Sequence, residues 1–243
     1  MDLISKHAIV TGAGSGMGQA ITWKLVEAGC QVHIVGRTLA KLETTRAGSA
    51  RPDQVWPITV DVADRTAVER EIASAITRAG APFLLVNNAG VNIRHRRIDV
   101  LSPADFDKLI STNLTGAFNV LYAVLPSMRE ARDGVIVTIS SIAGLRPLPL
   151  AGAAYSASKF GVNGLMGTVG REVAGEGIRC TTLCPGEVAT PILDERPVPV
   201  TAEQKAAMLQ PQDVAEAVLF IAKLPSRAHV QELVLKPLVQ DYG

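Results

Sequence analysis

The chain has little of what marks membrane-spanning, secreted or nucleic-acid-binding proteins. Its 243 residues carry a formal net charge of +1 and show no stripe of lysine and arginine. We find no apolar run approaching the roughly 18 residues that a membrane span needs. The N-terminus MDLISKHAIV has only a short, interrupted apolar run, unlike a signal peptide. We therefore expect neither a nucleic acid nor a membrane as partner.

Cysteine is also scarce, with three residues in the chain. Cys180 and Cys184 lie in a strand-like run, where four residues span about 13 Å, beyond the reach of a disulfide. No histidine or acid has the spacing of a zinc site, so no metal is predicted. We interpret the thiols as reduced core residues and the chain as cytoplasmic.

What the sequence does contain is an alternation of short apolar runs and longer helical patterns. The apolar runs predict seven strands, at residues 7–11, 32–36, 54–60, 83–88, 134–140, 177–184 and 232–236. Helical patterns lie between them, at 18–28, 38–47, 64–79, 103–130, around Tyr155 and at 212–223. Since no two strands are joined by a two-residue hairpin turn, the pattern predicts an α/β fold, a single domain over residues 1–243 with a doubly wound parallel sheet.

A glycine-rich turn, TGAGSGMG, follows the first strand and precedes a helix. Its spacing is G-x-x-x-G-x-G and not the usual G-x-G-x-x-G. Glycines at such a turn let backbone N–H groups approach a pyrophosphate, and the helix N-terminus opposes its charge. The position of the turn therefore predicts a dinucleotide site at Thr11, Gly12, Gly14, Ser15, Gly16, Met17 and Gly18.

The end of the second strand indicates which dinucleotide is bound. An acid there would bind a ribose 2′-hydroxyl, but Gly36 and Arg37 occupy the position. A guanidinium can pair with a 2′-phosphate, so we predict NADP(H) over NAD(H). The alternative is that Arg37 is a solvated turn residue.

Polar residues also follow the third and fourth strands. Asp61, with Val62 beside it, is expected to contact adenine, and Asn88, Ala89 and Gly90 to line the cofactor edge. The alternative is that Asp61 only begins the next helix and the asparagines only form turns.

Tyr155 and Lys159 stand four residues apart in the helix-compatible stretch AAYSASKFG. That spacing places both side chains on one helix face. A neighbouring ammonium lowers the pKa of a tyrosine and so suits it to proton transfer. Taken alone, the pair also fits an ordinary helix surface.

Five motifs occur in order along nearly the whole chain: TGAGSGMG, NNAG, ISS before AG, YSASK and PGEVAT. Together they resemble the short-chain dehydrogenases/reductases of the classical type. The resemblance implies a single-domain Rossmann-type fold and a hydride transfer between NAD(P) and a carbonyl or secondary alcohol. It also implies a catalytic tetrad of Asn113, Ser141, Tyr155 and Lys159.

Each member of that tetrad has an expected role. Tyr155 acts as general acid/base, and Lys159 lowers its pKa and holds the nicotinamide ribose. Ser141 donates to the developing oxyanion; we choose it over Ser140 because adjacent strand residues face opposite ways. Asn113, in STNLTG, supports a water-linked proton path from the lysine, although it also fits a helix-surface amide.

The resemblance assigns the last cofactor contacts and the neighbouring segments. Pro185, Gly186, Val188 and Thr190 would flank the nicotinamide. Residues 185–211, rich in proline, form the expected substrate lid. The ending ELVLKPLVQDYG departs from the glycine-rich ending of many members, and helices 103–130 and 153 onward resemble those that pair between subunits, so a homotetramer or dimer is expected.

Substrate identity is the weakest part of the prediction. Arg94, His95, Arg96 and Arg97 follow the NNAG edge, and with Arg146 they form a basic group that either attracts an anionic substrate or is a solvated face. Three functions stay open at this stage: a general NADP-dependent ketone/alcohol oxidoreductase, a reductase of 3-oxoacyl groups on a carrier protein or coenzyme A, and a binding module for NADP(H) without catalysis.

Overall fold

The computed structural model describes residues 2–240 and contains one seven-stranded parallel sheet. The strands are β1 (His7–Thr11), β2 (Gln31–Gly36), β3 (Val55–Thr59), β4 (Leu84–Asn87), β5 (Gly134–Ile139), β6 (Ile178–Pro185) and β7 (Glu232–Leu235). They are ordered β3-β2-β1-β4-β5-β6-β7, and every pairing is parallel. The predicted doubly wound fold is confirmed, and each predicted strand lies within two residues of an observed one.

Eight α-helices surround this sheet in the described part of the chain. They are α1 (Gly16–Glu27), α2 (Leu39–Ala47), α3 (Arg65–Ala79), α4 (Pro103–Ile110), α5 (Gly116–Ala131), α6 (Ala153–Val173), α7 (Ala202–Ala207) and α8 (Pro211–Lys223). The sequence patterns predict all of these helices except α7, with α4 and α5 as one helix over 103–130.

The core has two halves, one on each face of the sheet. Apolar residues of α1 and α8, such as Ile21 and Val218, pack on one face, and those of α3, α5 and α6, such as Ile72 and Val162, pack on the other. The central strands are therefore buried on both sides. This explains why they appear in the sequence as nearly continuous apolar runs and not as alternating ones.

The strand order reverses between β1 and β4, which are neighbours in the sheet although β2 and β3 lie between them in sequence. Crossovers leave this point in opposite directions, so a crevice opens beyond the carboxyl ends of the two strands. Thr11 ends β1 and Asn87 ends β4. The glycine-rich turn and the NNAG segment therefore meet at one edge.

The predicted single helix over 103–130 contains an irregular turn. Residues 111–115 form a π-helical segment that joins α4 to α5. By length and composition, the run Pro103–Ala131 is long and apolar enough to cross a membrane. This corrects the expectation that no run approaches the length needed for a membrane span. Half of its most apolar window is buried inside the protein. Its apolar side chains, including Val120 and Val124, belong to the core against α3 and α6.

The segment predicted as a loop, 185–211, has defined structure. Residues Pro191–Glu195 form a 3₁₀ turn and Ala202–Ala207 form α7, which begins with a capping box made by Thr201 and Gln204. Leu209 donates its N–H to Glu187 O at 3.0 Å and accepts from Ala189 N at 2.8 Å. These two hydrogen bonds join the C-terminal end of the segment to the residues that follow β6.

Candidate active site

The glycine-rich turn places its backbone against the NNAG segment. Gly12 has a φ of +63°, and a Cβ there would lie 2.8 Å from the Cα of Ala89. A Cβ on Gly18 would lie 2.4 Å from the carbonyl oxygen of Gly12. Only glycine allows this approach. Ser15 caps α1 without a side-chain hydrogen bond, so the N–H groups of the first turn face the crevice as a ready anion site.

Hydrogen bonds between Thr11 and Asn88 fix the floor of the crevice. The buried Thr11 hydroxyl accepts the N–H groups of Asn88 at 3.0 Å and of Ala89 at 2.9 Å. Asn88 Nδ2 donates to Thr11 O at 2.9 Å. Its Oδ1 is buried and has no hydrogen-bond partner in the described protein. A glycine cradle, an uncapped helix start and an unpaired buried oxygen together fit a dinucleotide cofactor.

Arg37 and Asp61 lie at the far end of the crevice. The Arg37 guanidinium is 3.9 Å from the Asp61 carboxylate, and both side chains are about half exposed. They line a cavity of about 100 Å³ together with Gly36, Val62, Ala89 and Gly90. A larger cavity of about 380 Å³ continues from Arg37 along Ser15, Gly16, Met17, Asn88 and Thr190.

Tyr155 and Ser141 meet in a further cavity, next to the loop after β6. Ser141 accepts the N–H of Ala143 at 3.1 Å, and its side chain lines the same cavity as Tyr155. Burial raises the pKa of Tyr155, while the Ser141 hydrogen bond and the charge of Arg96 act to lower it. Ser140 turns the other way and lies against the backbone of Lys159.

Lys159 is buried behind Tyr155, with its ammonium at the end of β5. Its Nζ donates to Ile139 O at 2.8 Å and lies 5.7 Å from the centre of the Tyr155 ring. Burial lowers the pKa of Lys159 to about 8. The ammonium therefore points to a carbonyl, and the cation that acts to lower the Tyr155 pKa is Arg96. An effect of Lys159 on Tyr155 stays a prediction.

Asn113 lies in the π-helical segment with its amide fully used. Its Oδ1 accepts the N–H of Val91 at 2.8 Å, and its Nδ2 donates to Val91 O at 3.0 Å and to Ser158 Oγ at 3.1 Å. Ser158 in turn donates to Tyr155 O at 2.7 Å. The irregular turn therefore connects the strand β4 edge to the helix that carries Tyr155, a common use of π-bulges.

The cavity around Tyr155 has a volume of about 160 Å³. Met17 and Thr190 line both this cavity and the 380 Å³ groove, so the two are neighbours. The other predicted residues on its wall are Ser141, Pro185, Gly186 and Val188. Glu187, Ile192 and Arg196, which lie in the predicted lid 185–211, also line it. Sequence reasoning missed other lining residues, among them Asn92, Leu148, Leu150 and Gln240.

The basic run does not form one surface. Arg97 is exposed and pairs with Asp99, and Arg94 donates to Asp194 O at 2.9 Å. Arg96 alone is buried and lines the Tyr155 cavity. The backbone N–H of Arg146 donates to Ile142 O. Nothing in the sequence distinguishes Arg96 from its neighbours, since the segment 91–99 has no regular periodicity.

Comparison with known proteins identifies the family. The family model described as short chain dehydrogenase matches residues 6–198. An uncharacterized oxidoreductase of Staphylococcus aureus strain MW2 is 33% identical over 239 residues, covering 97% of this chain and 99% of that protein. The chain belongs to the short-chain dehydrogenases/reductases, and it is an NAD(P)-dependent enzyme acting on CH–OH or C=O groups.

Two solved structures show similar folds. An alcohol dehydrogenase from the archaeon Thermococcus sibiricus, complexed with 5-hydroxy-NADP, superposes with a TM-score of 0.87 at 29% identity, covering 97% of this chain and 98% of that one. A 3-ketoacyl-(acyl-carrier-protein) reductase from Brucella melitensis, complexed with NADH, gives 0.88 at 26% identity, with coverage of 97% and 98%. A nicotinamide cofactor is therefore shared by these relatives.

Proposed function

We propose that the protein is an NADP-dependent oxidoreductase that interconverts a carbonyl and a secondary alcohol, with Tyr155 as general acid/base. The observation that carries the proposal is that Tyr155 and Ser141 line one cavity, which adjoins the glycine-lined groove. When bound, the nicotinamide supplies or accepts the hydride. The residues of the chain bind and orient the substrate and handle its proton.

The protonation of Tyr155 suits the reducing direction. Because burial raises its pKa, the hydroxyl stays protonated at neutral pH and can donate its proton to a carbonyl oxygen. Ser141 donates a hydrogen bond to the same oxygen as negative charge develops on it. Lys159 and Asn113 lie behind Tyr155, where the ammonium donates to Ile139 O and the Asn113 amide donates to Ser158.

The tetrad is tested by measuring NADPH oxidation with a panel of small ketones and aldehydes. Replacing Tyr155 with Phe removes the proton donor, and we expect kcat to fall by about 10²- to 10⁴-fold. The Kd for NADPH should change little, because the hydroxyl is not needed for the fold of the groove. Ser156→Ala, one residue along α6, is the matched control. Undiminished turnover by Tyr155→Phe would exclude the proposed role.

Arg37 and the lack of an acid at Gly36 support NADP(H) over NAD(H). The Arg37–Asp61 contact is longer than a hydrogen bond, so a 2′-phosphate can compete for the guanidinium. Replacing Arg37 with Asp should reverse the ratio of NADPH to NADH affinities. The control is Arg46→Asp, because Arg46 is an exposed arginine on α2 that pairs with Glu43. Unchanged affinities for NADPH and NADH in Arg37→Asp would show that Arg37 does not cause the preference for NADPH.

A 3-oxoacyl reductase is the second candidate, favoured by the similarity to the Brucella enzyme. The cavity volume of about 160 Å³ is well below the several hundred Å³ typical of larger ligands. A short acyl group fits this volume, and a longer one would extend through the open side of the cavity. Comparing carrier-linked 3-oxobutanoyl with free small ketones separates the candidates, since a large advantage for the carrier-linked substrate would favour the reductase.

We also propose a homo-oligomer, a dimer or tetramer, in the cytoplasm. Tyr122 on α5 and Phe160 on α6 are 57% and 42% exposed, and apolar side chains on adjacent helices favour a protein contact. All three cysteines are free and buried, in keeping with a reducing compartment. Light scattering after size-exclusion chromatography tests the assembly, and a monomeric mass at micromolar concentration would contradict it.

A further inference from the structure

Two arginines from distant segments converge on the cavity that holds Tyr155. Arg96 comes from the loop after β4 and Arg196 from the segment after β6, and both line the cavity. Arg196 hydrogen bonds to the Glu187 carboxylate, which lines the same wall. Among the described lining residues, the charges are thus two guanidiniums and one carboxylate.

Arg96 is buried, with 6% of its surface exposed, and backbone carbonyls hold it in place. Its Nε donates to Ile93 O at 2.6 Å, one terminal nitrogen to Leu150 O at 3.2 Å, and the other to Glu195 O. These carbonyls use three of the five N–H groups of a guanidinium. No described carboxylate oxygen lies within the 4.0 Å of an ion pair with Arg96.

This arrangement leaves a buried positive charge without a counter-ion. Burial and the charge of Arg196 both lower the pKa of Arg96, while Tyr155 and the exposed Glu195 raise it from a distance. Buried charges in proteins are normally paired, because an unpaired one costs several kcal/mol. An anion placed in the cavity would relieve the repulsion between the two arginines and neutralise Arg96.

The rest of the wall limits the size and nature of such an anion. Leu148, Leu150 and Ile192 supply apolar surface beside Arg96. The cavity holds about 160 Å³, and the reacting carbonyl must also fit at Tyr155 and Ser141. The geometry therefore accommodates a compact molecule with a planar anionic group that a guanidinium binds well, which describes a carboxylate.

We propose that the substrate is a short oxo acid, or the matching hydroxy acid, whose carboxylate binds Arg96 while its carbonyl or hydroxyl lies at Tyr155 and Ser141. This inference rests on the proposed function, and it deepens it by naming the substrate class. It assigns substrate binding to one member of the basic run, Arg96, and not to the exposed Arg97.

A purely structural role for Arg96 predicts a different outcome. If the guanidinium only ties the Ile93, Leu150 and Glu195 carbonyls together, its loss would weaken all substrates equally by loosening the wall. If it binds a carboxylate, its loss would weaken acids and leave neutral ketones nearly unchanged. The ratio of acid to neutral turnover is therefore the informative quantity.

The test compares 2-, 3- and 4-oxo acids of four or five carbons with their methyl esters, using NADPH oxidation by the full-length enzyme. For at least one acid and its methyl ester, we expect kcat/KM to be about 10- to 100-fold higher for the acid. This ratio is what one hydrogen bond to a charged group typically contributes. Arg96→Gln should abolish that preference chiefly through KM. Arg97→Gln, an exposed control paired only with Asp99, should keep it.

A second measurement works on the wild-type enzyme alone, in case Arg96→Gln fails to fold. Butanoate should compete with a neutral ketone for the cavity, and butanamide should not. Esters reduced as well as all the acids, or equal inhibition by the acid and the amide, would overturn the inference while leaving the proposed function intact. Reduction of neither acids nor esters, with NADPH still bound, would instead count against the proposed function.

Discussion

Ionisable side chains are buried at both ends of the sheet, but the two ends treat charge differently. At the amino ends, His7 Nε2 lies 2.8 Å from His33 Nδ1, and His7 Nδ1 lies 2.8 Å from Gly80 O. His33 also packs on Trp56, with ring centres 4.7 Å apart. Burial lowers the pKa of both histidines, that of His33 to about 3, helped by the charges of His7 and Arg78.

At the carboxyl ends, burial does not remove the charge. Lys159 donates to the carbonyl of Ile139, and Arg96 donates to three carbonyls from three segments. Carbonyl oxygens stabilise a cation that would otherwise be lost to desolvation. Two imidazoles can satisfy one another as neutral groups, whereas an ammonium and a guanidinium cannot.

The difference shows how one sheet can be stable at one end and reactive at the other. The histidine pair is neutral, compact and far from the crevice, so it contributes to packing. The cations are retained beside the cavity at a cost in stability, which is a common property of functional sites. Substitutions at one end of the sheet at a time test this difference between the buried cations and the histidine pair.

The largest effect is expected from Lys159→Met, which removes the buried ammonium beside Tyr155. We expect kcat to fall by about 10²- to 10⁴-fold, because the predicted support of proton transfer through Tyr155 by Lys159 is lost. The melting temperature should not fall, because an apolar side chain of similar length replaces a desolvated cation. Activity assays and calorimetry on the same preparation measure both quantities.

A parallel loss of activity and stability in Lys159→Met would mean that the lysine mainly holds the fold. Lys223→Met, on α8 and away from the crevice, is the matched control for a lost lysine. It should leave kcat within about twofold of wild type, as surface substitutions usually do.

The histidine end should respond to acid. The unfolded chain binds protons on His33 below the ordinary pKa of 6.5, but the folded protein does not until about pH 3. Stability is therefore lost as pH falls through 6.5. For His33 alone, the free energy of unfolding should drop by about 1.6 kcal/mol between pH 6.5 and 5, with a slope that approaches about 1.4 kcal/mol per pH unit toward pH 5. Urea unfolding across this range measures the slope.

His33→Leu should flatten this acid response, whereas replacement of the exposed His95 with Gln should leave it unchanged. An NMR titration gives an independent check on the folded protein. A His33 ring signal that shifts with a midpoint near 6.5 would show that the pair is not held neutral.

The smallest effect concerns Lys159 at alkaline pH. Its folded pKa of about 8 lies below the ordinary 10.5, so the unfolded chain binds more protons between these values and stability rises with pH in that window. Relative to Lys159→Met, the wild type should gain about 1 kcal/mol from pH 8 to 9. A constant difference between the two proteins across that window would indicate an unperturbed lysine.

Much of the fold could be predicted because it depends on patterns that are local in sequence. The runs that become β1, β4 and β5 are buried on both faces, so most of their residues are apolar. The glycine turn was recognisable since Gly12 and Gly18 occupy positions where no Cβ fits. Such constraints leave a direct mark on the sequence.

The wall of the cavity could not be predicted in the same way. Arg96 is buried only because carbonyls from residues 93, 150 and 195 surround it, and no local pattern encodes contacts between segments a hundred residues apart. The π-helical turn at Asn113 likewise follows from its bonds to Val91 and Ser158. The hydrogen bond from the ammonium of Lys159 to the buried carbonyl of Ile139, at the end of β5, also has no local sequence signal.

The C-terminal segment is anchored on the wall of the cavity. Gln240 Oε1 accepts the N–H of Glu187 at 2.9 Å, and Lys236 Nζ donates to Gln240 O at 2.9 Å. The last three residues, 241–243, lie outside the described part of the chain. For expression and immobilisation, a fusion partner belongs at the amino end, since tension on residue 240 would be transmitted to the carboxylate that orients Arg196.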